Sequence, residues 1–395
     1  MATRLRDDLL RGIDSEIEQA LVKTRRDLHA EPELAFQESK TAAYIAKYLD
    51  NLPVENLRDG VGRTGVVCDI KGKLPGRTVL VRADMDGLPL TETSDLPFRS
   101  RREGVMHACG HDVHMAIALA LAGKLAANRD RLPGTVRFAF QPAEEGAGGA
   151  KVMIDEGVLE GVDRVVGLHV WANLPVGQVS VRPDAMMASA DFFTLMVRGK
   201  GGHGALPETT VDAVVIAAQI ATALQTLASR ETSPRAPVVV TLGSIHGGSA
   251  HNIIAGEVVI QGTLRTFDME LRQRLLDRIG EMSAGIAKAL RGSCEFRLDS
   301  ETPPTVNDPA ISKLVAEAAA SVIGEKNVVP HEPLMVGEDF AYFLMERPGC
   351  FFLLGGAPDG PSVGHHTPGF RIDEGCLPIG LRVMTAAVLR LLEAD

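Results

Sequence analysis

Residues 78–86 read Thr-Val-Leu-Val-Arg-Ala-Asp-Met-Asp, and residues 107–114 read His-Ala-Cys-Gly-His-Asp-Val-His. The first stretch is a short apolar run, the mark of a buried strand over Thr78–Ala83, with Asp84 and Asp86 spaced at period 2 just past its end. The second is a glycine-containing turn that opens a helix over about 111–127. Further strands are expected at Gly65–Ile70, Thr135–Phe140 and Arg164–Val170. Strands alternating with helices predict an α/β fold with a mainly parallel sheet flanked by helices. In such sheets ligands bind beyond the carboxyl ends of the strands. Asp84, Asp86, Glu144, Glu145 and His169 all fall at or just past such an end.

Outward from this segment the pattern continues and then changes. Apolar positions at helical spacing predict helices over 13–30 and 37–50, broken by the turn Glu31-Pro-Glu33. Near residue 185 the order becomes strand 191–199, helix 210–228, strand 238–245, strand 257–265, helix 269–290 and strand 295–298. This β-α-β-β-α-β order is that of a ferredoxin-like α+β unit, and 186–299 is expected to be an inserted domain. Glu301-Thr-Pro-Pro-Thr305 is the expected return linker. A helix at 309–323, a strand at Cys350–Leu354 and a closing helix at 375–393 then follow. The main domain therefore comes in two parts, 1–185 and 300–395.

The chain has 395 residues, more than one hydrophobic core usually serves, since cores seldom grow past roughly 250–300 residues. With 45% hydrophobic and 23% charged residues it has the composition of a globular protein. Its net charge is −10 and it has no Lys/Arg-rich run, so neither nucleic acid nor an anionic membrane is an expected partner. The first residues mix acids and bases around no apolar core, unlike a secretory signal. The apolar stretch near 115–127 is interrupted by Lys124 and falls short of the about 20 residues a bilayer requires. Five unpatterned cysteines argue against a disulfide scaffold, and a reducing, cytoplasmic setting is expected.

The residue types near the strand ends define the chemistry. Cys109 and His111 supply a thiolate and an imidazole, which suit zinc and, for the imidazole, other divalent first-row metals. His107 and His114 surround them. Glu144-Glu145 follows the strand 135–140 through a Gln-Pro turn: one carboxylate can bind metal while its neighbour holds the attacking water and takes its proton. His169 ends an apolar strand. Asp84 or Asp86 can orient a ligating histidine. His365-His366, in a Gly/Pro loop after the strand at 350–354, offers a closing ligand, and Val336-Gly-Glu-Asp-Phe340 adds a further acidic pair that supports the site or faces substrate.

The chain resembles the aminoacylase/carboxypeptidase family of dinuclear metallopeptidases, in the branch of hippurate hydrolases and N-acyl-amino-acid amidohydrolases. The resemblance rests on Arg26-Asp-Leu-His-Ala-Glu-Pro-Glu33, Arg82-Ala-Asp-Met-Asp86, His107-Ala-Cys-Gly-His-Asp112, Gln141-Pro-Ala-Glu-Glu145, Gly167-Leu-His169, Gly199-Lys-Gly-Gly-His-Gly204, Gly337-Glu-Asp-Phe340 and His366-Thr-Pro368. These motifs span nearly the whole chain in the expected order. The resemblance implies two divalent metal ions, zinc first and manganese, cobalt or nickel as alternatives, ligated by Cys109, His111, Glu145, His169 and His366. It implies Glu144 as general base and Asp86 as the residue behind the ligands. The inserted domain becomes a lid that commonly joins two subunits, so a homodimer or homotetramer is expected. His203 resembles the lid histidine that stabilises the tetrahedral oxyanion, and Asn252 and Arg265 resemble residues that grip the substrate carboxylate, a task the planar arginine fork suits. In His251-Asn-Ile-Ile-Ala255 an alanine stands where relatives often have proline.

The activity so implied is metal-dependent hydrolysis of the amide bond of N-acyl amino acids, with a carboxypeptidase or dipeptidase on the same scaffold as the alternative. Two other readings of the residues are a cysteine nucleophile built on Cys109 and a non-catalytic binding protein. The acyl preference is not legible.

Overall fold

Eight strands build the sheet that carries the candidate site: β1 Glu55–Val61, β2 Gly65–Lys71, β3 Leu74–Asp84, β4 Pro133–Gln141, β5 Arg164–Pro175, β6 Val179–Ser180, β7 Val328–Val329 and β8 Gly349–Ala357. Their order in the computed structural model, which describes residues 2–360 and 363–393, is β1-β2-β4-β3-β5-β8-β6-β7. The central run β4-β3-β5-β8 is parallel throughout. The pairs β1-β2, β2-β4 and β8-β6 are antiparallel. β2 and β8 are buried along nearly their whole length and β5 over Arg164–Val170, which is why they read as unbroken apolar runs.

Of the helices α1 Ala2–Arg11, α2 Ser15–His29, α3 Ser39–Asp50 and α4 His111–Ala127, the last is apolar on all sides and buried, as a core helix must be. It packs against α2 Ser15–His29 and the closing helix Cys376–Leu392. Asp14 caps α2, its carboxylate accepting the amides of Glu16 and Ile17. Arg25 and His29, four residues apart on one face of α2, both reach Asp112 in the first turn of α4. Arg25 Nε donates to Asp112 Oδ2 at 2.7 Å, and His29 Nδ1 lies 2.9 Å from the same oxygen. All three are buried. This pins the start of α4, which carries His111 and follows Cys109.

The chain divides into two compact units. The first holds the large sheet and comprises Met1–Asp184, Val306–Glu332 and Tyr342–Asp395; the second comprises Ala185–Thr305 and Pro333–Ala341. In the second, four antiparallel strands are ordered Val238–Gly247, Glu257–Thr266, Asp191–Arg198, Ser293–Ser300. Helices Ala213–Arg230 and Met269–Ala289 pack on this sheet through Ile216, Ile220, Leu224, Leu275 and Ile279. That is the ferredoxin-like α+β arrangement, numbered 2-3-1-4 in chain order. The sequence boundaries of 186 and 299 differ from the unit as observed. Pro333–Ala341, expected with the last segment of the main domain, joins this unit, where Leu334 bonds to its first residues: Leu334 N donates to Met186 O at 2.9 Å, and Ala188 N donates to Leu334 O at 2.9 Å.

Several elements went unread in the sequence, the two-residue strands β6 and β7 and the short helix Ala341–Glu346 among them. The helix Ala2–Arg11 and the short helix Gly149–Asp155 were not expected. Nor was β1, whose Glu-Asn-Leu-Arg-Asp-Gly-Val is largely exposed and carries no alternation to betray it.

Candidate metal centre

β3 ends in Arg82-Ala-Asp84, all buried. Arg82 Nη1 donates to Asp84 Oδ2 at 2.6 Å, and Asp84 Oδ1 takes a 2.6 Å contact from His114 Nδ1. Burial opposes the charge on Asp84, but Arg82, His111 and His114 outweigh it and hold the carboxyl well below its usual range. Ahead of α4, Gly110 has φ +99°, and a Cβ there would lie 2.3 Å from Val170 Cγ1. Only glycine meets both conditions. Gly110→Ala is therefore expected to cost on the order of 1–3 kcal/mol from backbone strain alone and to displace Cys109 and His111, read as a lower denaturation midpoint together with lost metal uptake.

Four imidazoles crowd this strand end, and their backbone partners sort them. His111 Nδ1 lies 2.9 Å from Asp86 O, and His169 Nδ1 lies 2.7 Å from Val170 O. A carbonyl can only accept, so both rings carry a proton on Nδ1, and Nε2 is the nitrogen each turns to the donor cluster as a possible ligand atom. His114 and His365 are the reverse. His114 Nε2 accepts the Val170 amide at 2.9 Å, and His365 Nε2 accepts the Ala172 amide at 3.1 Å. Their proton sits on Nδ1 and neither nitrogen is left to ligate. The single residue Val170 thus serves one histidine with its N–H and another with its C=O.

His111 converges with Glu144 and Glu145, and two further groups of donor atoms share one sulfur. Cys109, His111 and His169 form one, and Cys109, Glu145 and His366 the other. Cys109 Sγ lies 3.4 Å from His169 Nε2 and 3.3 Å from His366 Nε2, which is 3.2 Å from Glu145 Oε1. Cys109 belongs to both groups. His111 Nε2 is also 4.0 Å from Glu144 Oε2 and from Glu145 Oε1. A further trio, Asp84, His111 and His114, is not a separate site, since both nitrogens of His114 are engaged.

The donors fit a cation. His111 Nε2 and Glu145 Oε1 are buried without a hydrogen bond, a costly state that a metal ion would relieve. Burial pushes His111 towards neutrality, yet Asp84, Asp86 and Glu145 overcome it and lift its pKa to about 10. Burial, then Glu145, Glu144 and Asp84, drive the Cys109 thiol far above its ordinary value. The pocket favours a positive charge and disfavours a bare thiolate. A nucleophilic cysteine needs the opposite field.

Asp86, expected to orient ligands, touches two of the candidates: its carbonyl accepts from His111 Nδ1, and its Oδ2 accepts the Glu145 amide at 2.9 Å. Glu144 follows Ala143, which holds a left-handed φ of +56°. Glu38 secures that bend by accepting the Ala143 amide at 2.9 Å, a role no local signal in the sequence announced. His203, Asn252 and Arg265 belong to the second unit. His203 is exposed on a two-residue strand paired with Ile253-Ile254. Its Nδ1 accepts the Ala205 amide at 3.1 Å, which places a proton on Nε2. The Asn252 carbonyl accepts the Gly204 amide at 2.8 Å. Arg265 is half-buried, its guanidinium 5.8 Å from the Phe192 ring centroid, and Nη1 donates to Met335 O at 3.3 Å.

Known proteins are similar to this chain in sequence and fold. An N-acetyl-L-cysteine deacetylase of Bacillus subtilis is 40% identical over 381 residues, covering 96% of this chain and 90% of its own. A thermostable carboxypeptidase of Saccharolobus solfataricus is 40% identical over 371 residues, covering 92% and 93%. A crystal structure of a dinuclear metal-binding peptidase of the M20 family from Bacillus subtilis superposes with a TM-score of 0.84 at 35% identity, covering 97% of this chain and 100% of that one. The model of the peptidase family M20/M25/M40 matches residues 80–390, the span that runs from β3 into the closing helix. With the sheet, the inserted ferredoxin-like unit and the donor cluster in place, the chain belongs to the peptidase family M20/M25/M40.

Proposed function

We propose that the chain hydrolyses the amide bond of N-acyl amino acids, releasing a carboxylate and a free amino acid, with two divalent cations in the two donor groups. One cation is assigned to Cys109, His111 and His169, the other to Cys109, Glu145 and His366. The observation that carries this reading is the sharing of Cys109 between two donor groups, the first of which has His111 and His169 turning Nε2 inward from rings whose Nδ1 faces a carbonyl. The relatives support the reaction class, as amide hydrolases by name, and the dinuclear neighbour supports the metal count. Zinc comes first, because thiolate and imidazole both suit it, and the same donors accept manganese, cobalt or nickel.

Bound cations polarise the amide carbonyl and lower the pKa of a bound water, towards about 7 in favourable zinc sites. Glu144 takes the proton of the attacking water and returns it to the leaving nitrogen. His203, protonated on Nε2, donates to the oxyanion, a contribution of roughly 3–4 kcal/mol when one such donor is deleted. Asn252 and Arg265 hold the substrate carboxylate, and Asp86 keeps His111 and Glu145 aligned.

The carboxypeptidase relative favours a second reading, cleavage of a peptide bond on the same site. Hydrolysis rates for N-acetyl-methionine, hippurate and a dipeptide separate the two. Faster release of amino acid from the acylated substrates is expected. A dipeptide that outpaces both would move the assignment to a peptidase.

A further inference from the structure

His365 stands beside a proposed ligand yet cannot be one. Its Nε2 accepts the Ala172 amide at 3.1 Å. An amide only donates, so this nitrogen holds a lone pair, and the single proton of the neutral ring sits on Nδ1. That Nδ1 faces Cys109, whose sulfur at 3.9 Å is within reach of an N–H···S hydrogen bond and whose backbone competes for the same proton. The ring is held in this attitude from two sides. It stacks on Trp171, with centroids 4.6 Å apart and planes inclined by 29°, and meets Phe370 at 4.9 Å. Adjacent side chains of an extended chain point to opposite sides. The left-handed backbone of His366, φ +59°, lets both imidazoles approach one sulfur instead.

We propose that His365 donates its Nδ1–H to the thiolate of Cys109 and so sets the donor strength of the sulfur shared by the two metal groups. The inference rests on the dinuclear reading above. Asp84, Glu144 and Glu145 all act on Cys109 as negative charges. Against them His365 presents a positive dipole. A hydrogen bond to a ligating sulfur draws charge from it, weakens its donation and changes the electronic properties of the metal it binds. His365 is accordingly a positioning and tuning residue, held apart from the ligand His366 by the Ala172 amide.

Cobalt(II) loaded into the protein reads the sulfur directly, through a sulfur-to-cobalt charge-transfer band in the near ultraviolet. Cys109→Ser is expected to remove the band, which assigns it. His365→Phe keeps an aromatic ring between Trp171 and Phe370 but removes the donor, and is expected to move the band to longer wavelength, since an unbonded thiolate gives up its electrons more easily. Trp171→Phe keeps the donor and is expected to leave the band in place. A band present in the parent and unmoved in His365→Phe overturns this inference alone. A parent protein that binds cobalt without any such band, or binds none, overturns the shared-thiolate reading beneath it. Should His365→Phe fail to fold, the parent answers by itself. Histidine-selective 15N spectra of the zinc-loaded protein are expected to show His365 protonated on Nδ1, and protonation on Nε2 would overturn the proposal.

Discussion

Glu144→Gln is expected to lower kcat by about 10²–10⁴-fold, the usual reach of a positioned general acid–base, while metal content stays at the parent value. Gln matches Glu in size and keeps an accepting oxygen, but it cannot take up a proton. The prediction depends on the two adjacent carboxylates having different tasks. Glu145 is fixed as a ligand candidate: Asp86 Oδ2 holds its amide and its Oε1 lies 3.2 Å from His366 Nε2. Glu144 is aimed by the left-handed Ala143, itself tied to Glu38. Turnover of N-acetyl-methionine and elemental analysis of the same preparation decide the matter. Loss of one metal would make Glu144 a ligand, and parental kcat would remove it from the chemistry.

Chelation is expected to abolish hydrolysis and to destabilise the fold. Asp84 and Asp86 are buried, Glu144 and Glu145 half-buried, and all four crowd one strand end. Without a cation His111 Nε2 and Glu145 Oε1 stay buried with no hydrogen bond. A metal that binds only the folded chain stabilises it by about 4 kcal/mol at a thousandfold excess over its Kd. Thermal melts and rate measurements with and without a chelator test both effects, and re-added zinc is expected to restore them together. A melting curve and rate indifferent to chelation would return the Cys109 nucleophile or the binding-protein reading to the front.

The fold was legible because its central strands are buried on both faces and its helices keep regular apolar spacing. β3, α4, β4 and β5 announce themselves as unbroken or periodic apolar runs. β1 does not, since an exposed edge strand has no buried face to enforce alternation. Residues at the candidate site were legible where chemistry clusters at strand ends, as in Cys109, Glu144, Glu145 and His169. What each histidine does was not. The identity of a ligating nitrogen depends on whether the other faces a carbonyl or an amide, and those partners come from distant segments: Asp86 for His111, Val170 for His114, Ala172 for His365. The same holds for Arg25, which meets Asp112 across 87 positions, and for Glu38, which meets Ala143 across 105.

The place of Val170 makes this part of the chain intolerant of changes in length. Side chains along a strand alternate between the two faces of the sheet, so inserting or deleting one residue in β5 ahead of Val170 would turn His169 to the opposite face, away from Cys109. The group of Cys109, His111 and His169 would keep one imidazole of its two. Drift in loop length among descendants of this sequence should therefore collect in the turn around Asp359-Gly360, which lies past the end of β8 and is exposed, and should avoid residues 164–172 altogether.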